Sequence, residues 1–194
     1  MTQPGKTIRR RRNNHQQGFT LLETVISMFV LTIGLVSLLG VVGMAMSATQ
    51  TSQEDLIAKK LAQESVESIY TARDTANITW DQIANVGSTG IFVAGFVPIR
   101  VAGPDGLYNT TSDGTAAAQT LTLAGPDGIY GTPDDVIVPL TNFQRSIAIT
   151  AVPNTSTGLP YDNLRQLTIT VQYNTPQYRL PKQYVLTSYI SQYR

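Results

Sequence analysis

The sequence predicts an α+β protein: a long N-terminal helix packed on a C-terminal antiparallel β-sheet head. Three observations carry this expectation. Residues 25–46 (VISMFVLTIGLVSLLGVVGMAM) form 22 consecutive uncharged residues. No proline occurs between Pro4 and Pro98, so nothing in that interval forces a helix to end. From residue 75 onward the chain alternates runs rich in Val, Ile, Thr and Tyr with clusters of Gly, Pro, Asn and Ser, the pattern of strands and turns.

The N-terminal segment differs in charge from the rest. The chain has 194 residues, 14 Lys and Arg against 13 Asp and Glu. Five of those cations, Lys6, Arg9, Arg10, Arg11 and Arg12, lie in residues 1–18, which hold no acid. Everything after Gly18 therefore has 9 basic and 13 acidic side chains. This balance gives no reason to expect a nucleic-acid partner. Cysteine is absent and the single histidine, His15, belongs to the basic segment. Disulfides, thiol nucleophiles and zinc-cysteine sites are thereby excluded, and Ser-His-Asp or Cys-His catalysis has no histidine beyond residue 15. No phosphate-binding glycine loop or paired carboxylates with catalytic spacing appear, so no enzyme is expected.

The uncharged run is long enough to cross a bilayer, which takes about 20 residues as a helix. It exceeds the apolar core of a secretory signal and flows into a helical pattern without an obvious cut. The positive-inside rule places the arginine cluster in the cytoplasm and the rest of the chain across the inner membrane.

Immediately before this run stands Gly18-Phe19-Thr20-Leu21-Leu22-Glu23. A short basic leader, then GFTLLE, then about 20 apolar residues resembles the prepilin processing motif of type IV pilins and of type II secretion pseudopilins. The resemblance implies cleavage of leader 1–18 after Gly18 by a prepilin peptidase and methylation of Phe19 as the new N-terminus. It implies retention of the apolar helix as anchor and filament core, and assembly with other pilin subunits through machinery in the inner membrane. VLTIGLVSLLGV is most similar to PilV-type minor pilins, with pseudopilins close behind. Many pilins carry a proline midway along this segment, and this chain has Gly34, Gly40 and Gly43 instead.

Glu23 has a physical role in that scheme. A charge in hydrocarbon costs about 2.5–3.5 kcal/mol at a helix centre unless it is paired. The amino group freed at Phe19 is a suitable partner, and the resemblance implies that this pair sets subunit register. The alternative is an ordinary first-turn acid favoured by the helix dipole.

Beyond the apolar run the helix becomes amphipathic. Ala58, Leu61, Ala62, Ser65, Ile69 and Ala72 fall on one face, narrow and small enough for close approach to a sheet. A single helix is expected over residues 19–74, roughly 80 Å at 1.5 Å per residue. A β-rich extracytoplasmic head is expected over 75–194. Its strand-like segments are Ile91–Val101, Thr120–Ala124, Val136–Leu140, Arg145–Val152, Leu164–Tyr173 and Tyr184–Ile190.

Within the head a loop occurs twice. AGPDGLYNTTSD begins at Ala102 and AGPDGIYGTPDD at Ala124, 22 residues apart, which aligns Asp105 with Asp127 and Asp113 with Asp135. Proline suits the second position of a type I turn and the following glycine can take positive φ. The two loops, 102–114 and 124–136, are expected as equivalent turns at one end of the sheet. No cofactor is required by any motif. Calcium is the one candidate ion, with Asp105, Asp113, Asp127, Asp134 and Asp135 as oxygen ligands; the spacing is not that of an EF-hand, and stiff turns with solvated acids explain the residues as well. Tyr161, Tyr173, Tyr178, Tyr184, Tyr189 and Tyr193 crowd the end of the chain. They suit strands with one apolar and one wet face.

The resemblance, taken with these features, implies the structural subunit of a type IV pilus, a minor pilin serving adhesion, motility or DNA uptake. The alternatives are a type II secretion pseudopilin and a membrane-tethered binding domain that never assembles.

Overall fold

The structure is a computed structural model that describes residues 19–87, 89–175 and 180–193. Leader 1–18, with Gly18, and Tyr178 lie outside the described residues. The chain divides into two compact units, one ending at Met46 and one running from Ser47 to Arg194.

Helix α1 spans Leu21–Asp74. Thr20 starts it: its hydroxyl accepts the Glu23 amide at 3.3 Å, satisfying an N–H that has no partner within the helix. Thr20-Leu-Leu-Glu23 is a capping-box sequence, and glutamate at this position also complements the dipole. In the first unit the helix is apolar, exposed, and long enough to cross a membrane. Its few hydroxyls turn inward on the backbone. Ser27 donates to the Glu23 carbonyl at 2.7 Å, Thr32 to Met28 at 2.7 Å and Ser37 to Ile33 at 2.8 Å. Polar side chains are tolerable in hydrocarbon only when satisfied in this way. The helix continues unbroken through Gly34, Gly40 and Gly43.

The second unit holds the core. The buried helix residues are Ala58, Leu61, Ala62, Ser65, Ile69 and Ala72, the six that the helical spacing selects. Four of the six are small. The helix stops after Asp74 in a Schellman arrangement, with Asn77 N–H on the Ala72 carbonyl at 2.8 Å and Ala76 N–H on Arg73 at 3.1 Å. Ala76 takes the left-handed conformation, φ 57°, that glycine usually fills at this point.

Strands β1 (Val97–Pro98), β4 (Phe143–Pro153), β5 (Pro160–Tyr173) and β6 (Lys182–Ser191) form an antiparallel sheet in the order β1-β4-β5-β6. Strands β2 (Thr120–Leu123) and β3 (Val136–Pro139) make a separate two-stranded sheet, where the sequence suggests one sheet. Inward-facing Ile147, Leu167, Ile169, Val171 and Ile190 are fully buried and join the helix face in one cluster. Each such side chain contributes about 1.5–3 kcal/mol on burial.

Segment Ile91–Val101 is the main departure from expectation. Only Val97–Pro98 pairs as a strand, with Phe92 and Arg100 in isolated bridges. Gly95 at φ 83° breaks the extended run and Pro98 has no N–H to extend the ladder. Asn85 fills the place beside β4, its amide donating to the Ile147 carbonyl at 2.7 Å and its oxygen accepting the Ile149 amide at 2.8 Å.

Candidate functional site

At the start of the helix, Phe19 is 81% exposed and the apolar side chains that follow it are exposed as well. Glu23 lies one turn into the helix. The first unit therefore presents an apolar surface with a single acid at its head, which water does not favour and which a bilayer or other helices would cover.

The two Gly-Pro-Asp-Gly loops share one turn. Gly106 N–H bonds the Gly103 carbonyl at 3.0 Å, and Gly128 N–H bonds Gly125 at 3.0 Å. Both closing glycines have positive φ, 72° and 70°. Asp105 accepts the Leu107 amide at 3.1 Å and Asp127 the Ile129 amide at 2.8 Å, the same Asx turn. The loops are equivalent turns, but they do not share an end of one sheet. Residues 99–101 run antiparallel to 117–119, and 120–123 pair with 136–139. The first loop therefore enters the extended segment 117–123 at its beginning, and the second leaves it at its end.

Beyond the shared turn they diverge. In the first loop Thr110 donates to Asp105 at 2.9 Å and to Asp113 at 3.1 Å, and Ser112 donates to Asp105 at 2.8 Å. At Gly103 a Cβ would lie 2.6 Å from both the Asp113 carboxylate and the Ser112 hydroxyl, so any larger residue would displace those side chains. In the second loop the carboxylate packed against the matching glycine, Gly125, is that of Asp134. The repeat aligns Asp113 with Asp135, so the structural match is one residue out of register. The 3₁₀ turn Thr111–Thr115 in the first loop absorbs the difference. Asp134 accepts from Thr132 at 2.6 Å, and that bond holds its carboxyl below the usual range. Asp135 accepts the Gly131 amide at 2.6 Å.

Among the described residues no group of three or more His, Cys, Asp or Glu side chains is placed to hold a metal ion. Asp105 and Asp113 share the Thr110 hydroxyl, and hydroxyl and amide donors already occupy their oxygens.

The first loop is also tied into the core by a residue that sequence reasoning missed. Arg145 is fully buried. Its Nε donates to the Asn109 side-chain oxygen at 2.9 Å, the Asn109 amide returns a bond to the Arg145 carbonyl at 2.8 Å, and Nη1 reaches the Leu61 carbonyl at 3.4 Å. The guanidinium lies 4.5 Å from the centre of the Tyr108 ring. Burial pushes its pKa down to about 10, against the raising influence of Tyr108, Glu64 and Asp113. The signal was present: Arg145 shares strand parity with Ile147 and Ile149, which face inward. A second polar junction lies one inward-facing row away in the sheet, where Tyr173 and Lys182 both donate to Asp55. Burial alone would raise the Asp55 pKa, but the bonds from Lys182 and Tyr173 outweigh it and leave it lowered.

Residues 13–39 match the family model described as the prokaryotic N-terminal methylation motif. The matched span covers the position of Gly18 and continues past Phe19 and Glu23 into the apolar half of α1. Comparison with curated proteins finds no match, and comparison with solved structures finds none.

Proposed function

We propose that this chain, carrying the N-terminal methylation motif at 13–39, is the precursor of a minor pilin of a type IV pilus. The single observation behind this reading is that the matched motif coincides with a capped helix start, a lone first-turn glutamate and an exposed apolar half-helix. In this reading prepilin peptidase cuts after Gly18 and Phe19 becomes the methylated N-terminus. The new amino group pairs with Glu23 of the same or a neighbouring subunit. Before assembly the chain is a single-pass inner-membrane protein with cytoplasmic N-terminus and periplasmic head, and lipid covers the apolar face. Assembly exchanges lipid for the helices of other subunits. The work of the protein is mechanical and adhesive.

The test is the distribution of the chain between membranes and sheared surface filaments. Recovery in filaments supports the pilus reading. Recovery only in membranes, together with loss of protein secretion on deletion, would assign the chain to a type II secretion pseudopilus.

Calcium is not needed for this role. The loops are closed by their own hydrogen bonds, so thermal unfolding is expected to differ by less than about 2 °C between chelator and millimolar calcium. A site filled a hundredfold above its Kd would add about 2.7 kcal/mol and shift the midpoint by roughly 5–10 °C. A shift of that size would establish a metal site at Asp105 and Asp113 or at Asp127, Asp134 and Asp135.

A further inference from the structure

The two repeated loops hold the same turn in different surroundings. In the first, Leu107 is fully buried and the Tyr108 ring lies 4.5 Å from the Arg145 guanidinium. An apolar side chain and a tyrosine on an arginine thus pin that loop to its own head. In the second loop the matching residues are Ile129 and Tyr130, and they are 60% and 69% exposed. Leu123 and Val136 pair across the β2–β3 hairpin, on the side where Leu121 meets the core, and are exposed as well. The end of this hairpin is therefore an apolar knob, with the side chains of an anchor and no seat among the described residues of its own chain.

A seat of matching chemistry lies elsewhere on the head. A cavity of about 260 Å³ beside the first loop has Val93, Val97 and Pro98 as apolar walls, with Arg100 among them. A cavity of about 150 Å³ already takes a benzene ring, so this one has room for a tyrosine side chain. Arg100 is half-buried, and a bond from its Nη1 to the Ala116 carbonyl fixes the guanidinium in place. Thr111, exposed in the lining, suits a phenol hydroxyl. Asp113 also lines the cavity, but the Thr110 amide and hydroxyl occupy its oxygens. The second loop, 124–136, carries acids and no cation, which favours its approach to Arg100.

We propose that Ile129 and Tyr130 of one chain seat in the Arg100 cavity of a second copy, with the Tyr130 ring on the guanidinium as Tyr108 lies on Arg145. The contact does not form within one chain. Arg100 bridges to Ala118, and the second loop begins six residues later at Ala124, about 20 Å further along an extended segment. A knob and a hole on different parts of one surface make a heterologous contact, which joins copies head to tail in a ring or an open row. The inference goes beyond the pilin reading, because it concerns the heads alone and holds whether or not the chain is cut after Gly18.

The chain has no cysteine, so introduced thiols report only their own positions. Full-length Ile129→Cys and Thr111→Cys chains, mixed in detergent and oxidised, are expected to form a disulfide-linked dimer. Linking should be about tenfold faster than between Ile129→Cys and Thr187→Cys, an exposed position on β6. A chain carrying both Ile129→Cys and Thr111→Cys is expected to give linked multimers. Adding Tyr130→Ala to the Ile129→Cys chain, or Arg100→Ala to the Thr111→Cys chain, is expected to slow linking about tenfold, and the two together no more than either alone. Tyr130→Ala removes an exposed side chain, so its melting temperature should be unaltered. Equal linking to Thr187→Cys, or a double-cysteine chain that closes on itself as a monomer, would overturn the proposal. So would linking indifferent to Tyr130→Ala, and so would additive losses, which would put the knob and the cavity in separate contacts.

Discussion

Glu23→Ala is expected to leave cleavage after Gly18 intact while lowering incorporation into filaments by about a hundredfold. The magnitude follows from the cost of an unpaired charge at the edge of hydrocarbon, about 2.5–3.5 kcal/mol, which the wild-type pair avoids and which in the variant falls on the methylated amine of Phe19 alone. The helix itself should survive, because Thr20 still caps the first turn through the backbone amide of residue 23. Glu23→Gln separates the two roles of the side chain. It retains a capping-box residue but no charge, so it should keep the helix start and still fail to restore assembly. Comparing mature chain in membranes with chain in sheared filaments reads both effects. Filament levels equal to wild type in Glu23→Ala would reduce Glu23 to a first-turn helix acid.

The second large effect is expected in the head. Asn109→Ala removes both bonds that Asn109 shares with Arg145. It leaves a buried cation with a 3.4 Å contact to the Leu61 carbonyl and the Tyr108 ring. Stranding a buried charge in this way costs about 3–5 kcal/mol. For a unit of this size that is a fall in melting temperature of about 6–20 °C. Asn109→Gly loses the same bonds but suits the backbone, which is at φ 58° here, so it should be about 1 kcal/mol milder. Arg145→Met, which removes the cation together with its desolvation, should cost less than Asn109→Ala. Denaturant unfolding of the three variants gives the order; an Asn109→Ala protein as stable as wild type would show that Arg145 needs no partner.

How far the sequence reveals the molecule depends on the reach of each signal. The helix face is legible because Ala58, Leu61, Ala62, Ser65, Ile69 and Ala72 obey a single period over four turns, and the structure buries those six. Strand β5 is legible for the same reason, with Leu167, Ile169, Val171 and Tyr173 alternating inward. The turns of the repeated loops follow from Pro and Gly at fixed positions, a local rule. What escapes is non-local. Segment Ile91–Val101 has strand composition, but Gly95 interrupts it and its pairings at Phe92 and Arg100 are isolated bridges, which leaves two residues in a strand. The carboxylate against Gly125 comes from Asp134 because a five-residue 3₁₀ turn exists in one loop and not in the other, which alignment of the copies cannot reveal. Arg145 is hidden by a different effect. Charge argues for the surface, and only the parity of its strand and the distant Asn109 argue for the core.

At the N-terminus the motif is local and specific, and the matched span 13–39 agrees with it. The capping role of Thr20 is legible as well, as a Thr three residues ahead of a Glu at the start of an apolar run.

The most direct test of the central claim is the intact mass and N-terminal sequence of the chain from native membranes and from sheared surface filaments, with and without prepilin peptidase. The account predicts a chain beginning at N-methylated Phe19 wherever the peptidase is present, found in filaments, and a chain retaining Met1–Gly18 where it is absent. A chain that keeps Met1–Gly18 in both backgrounds would contradict it and leave a membrane-anchored β domain.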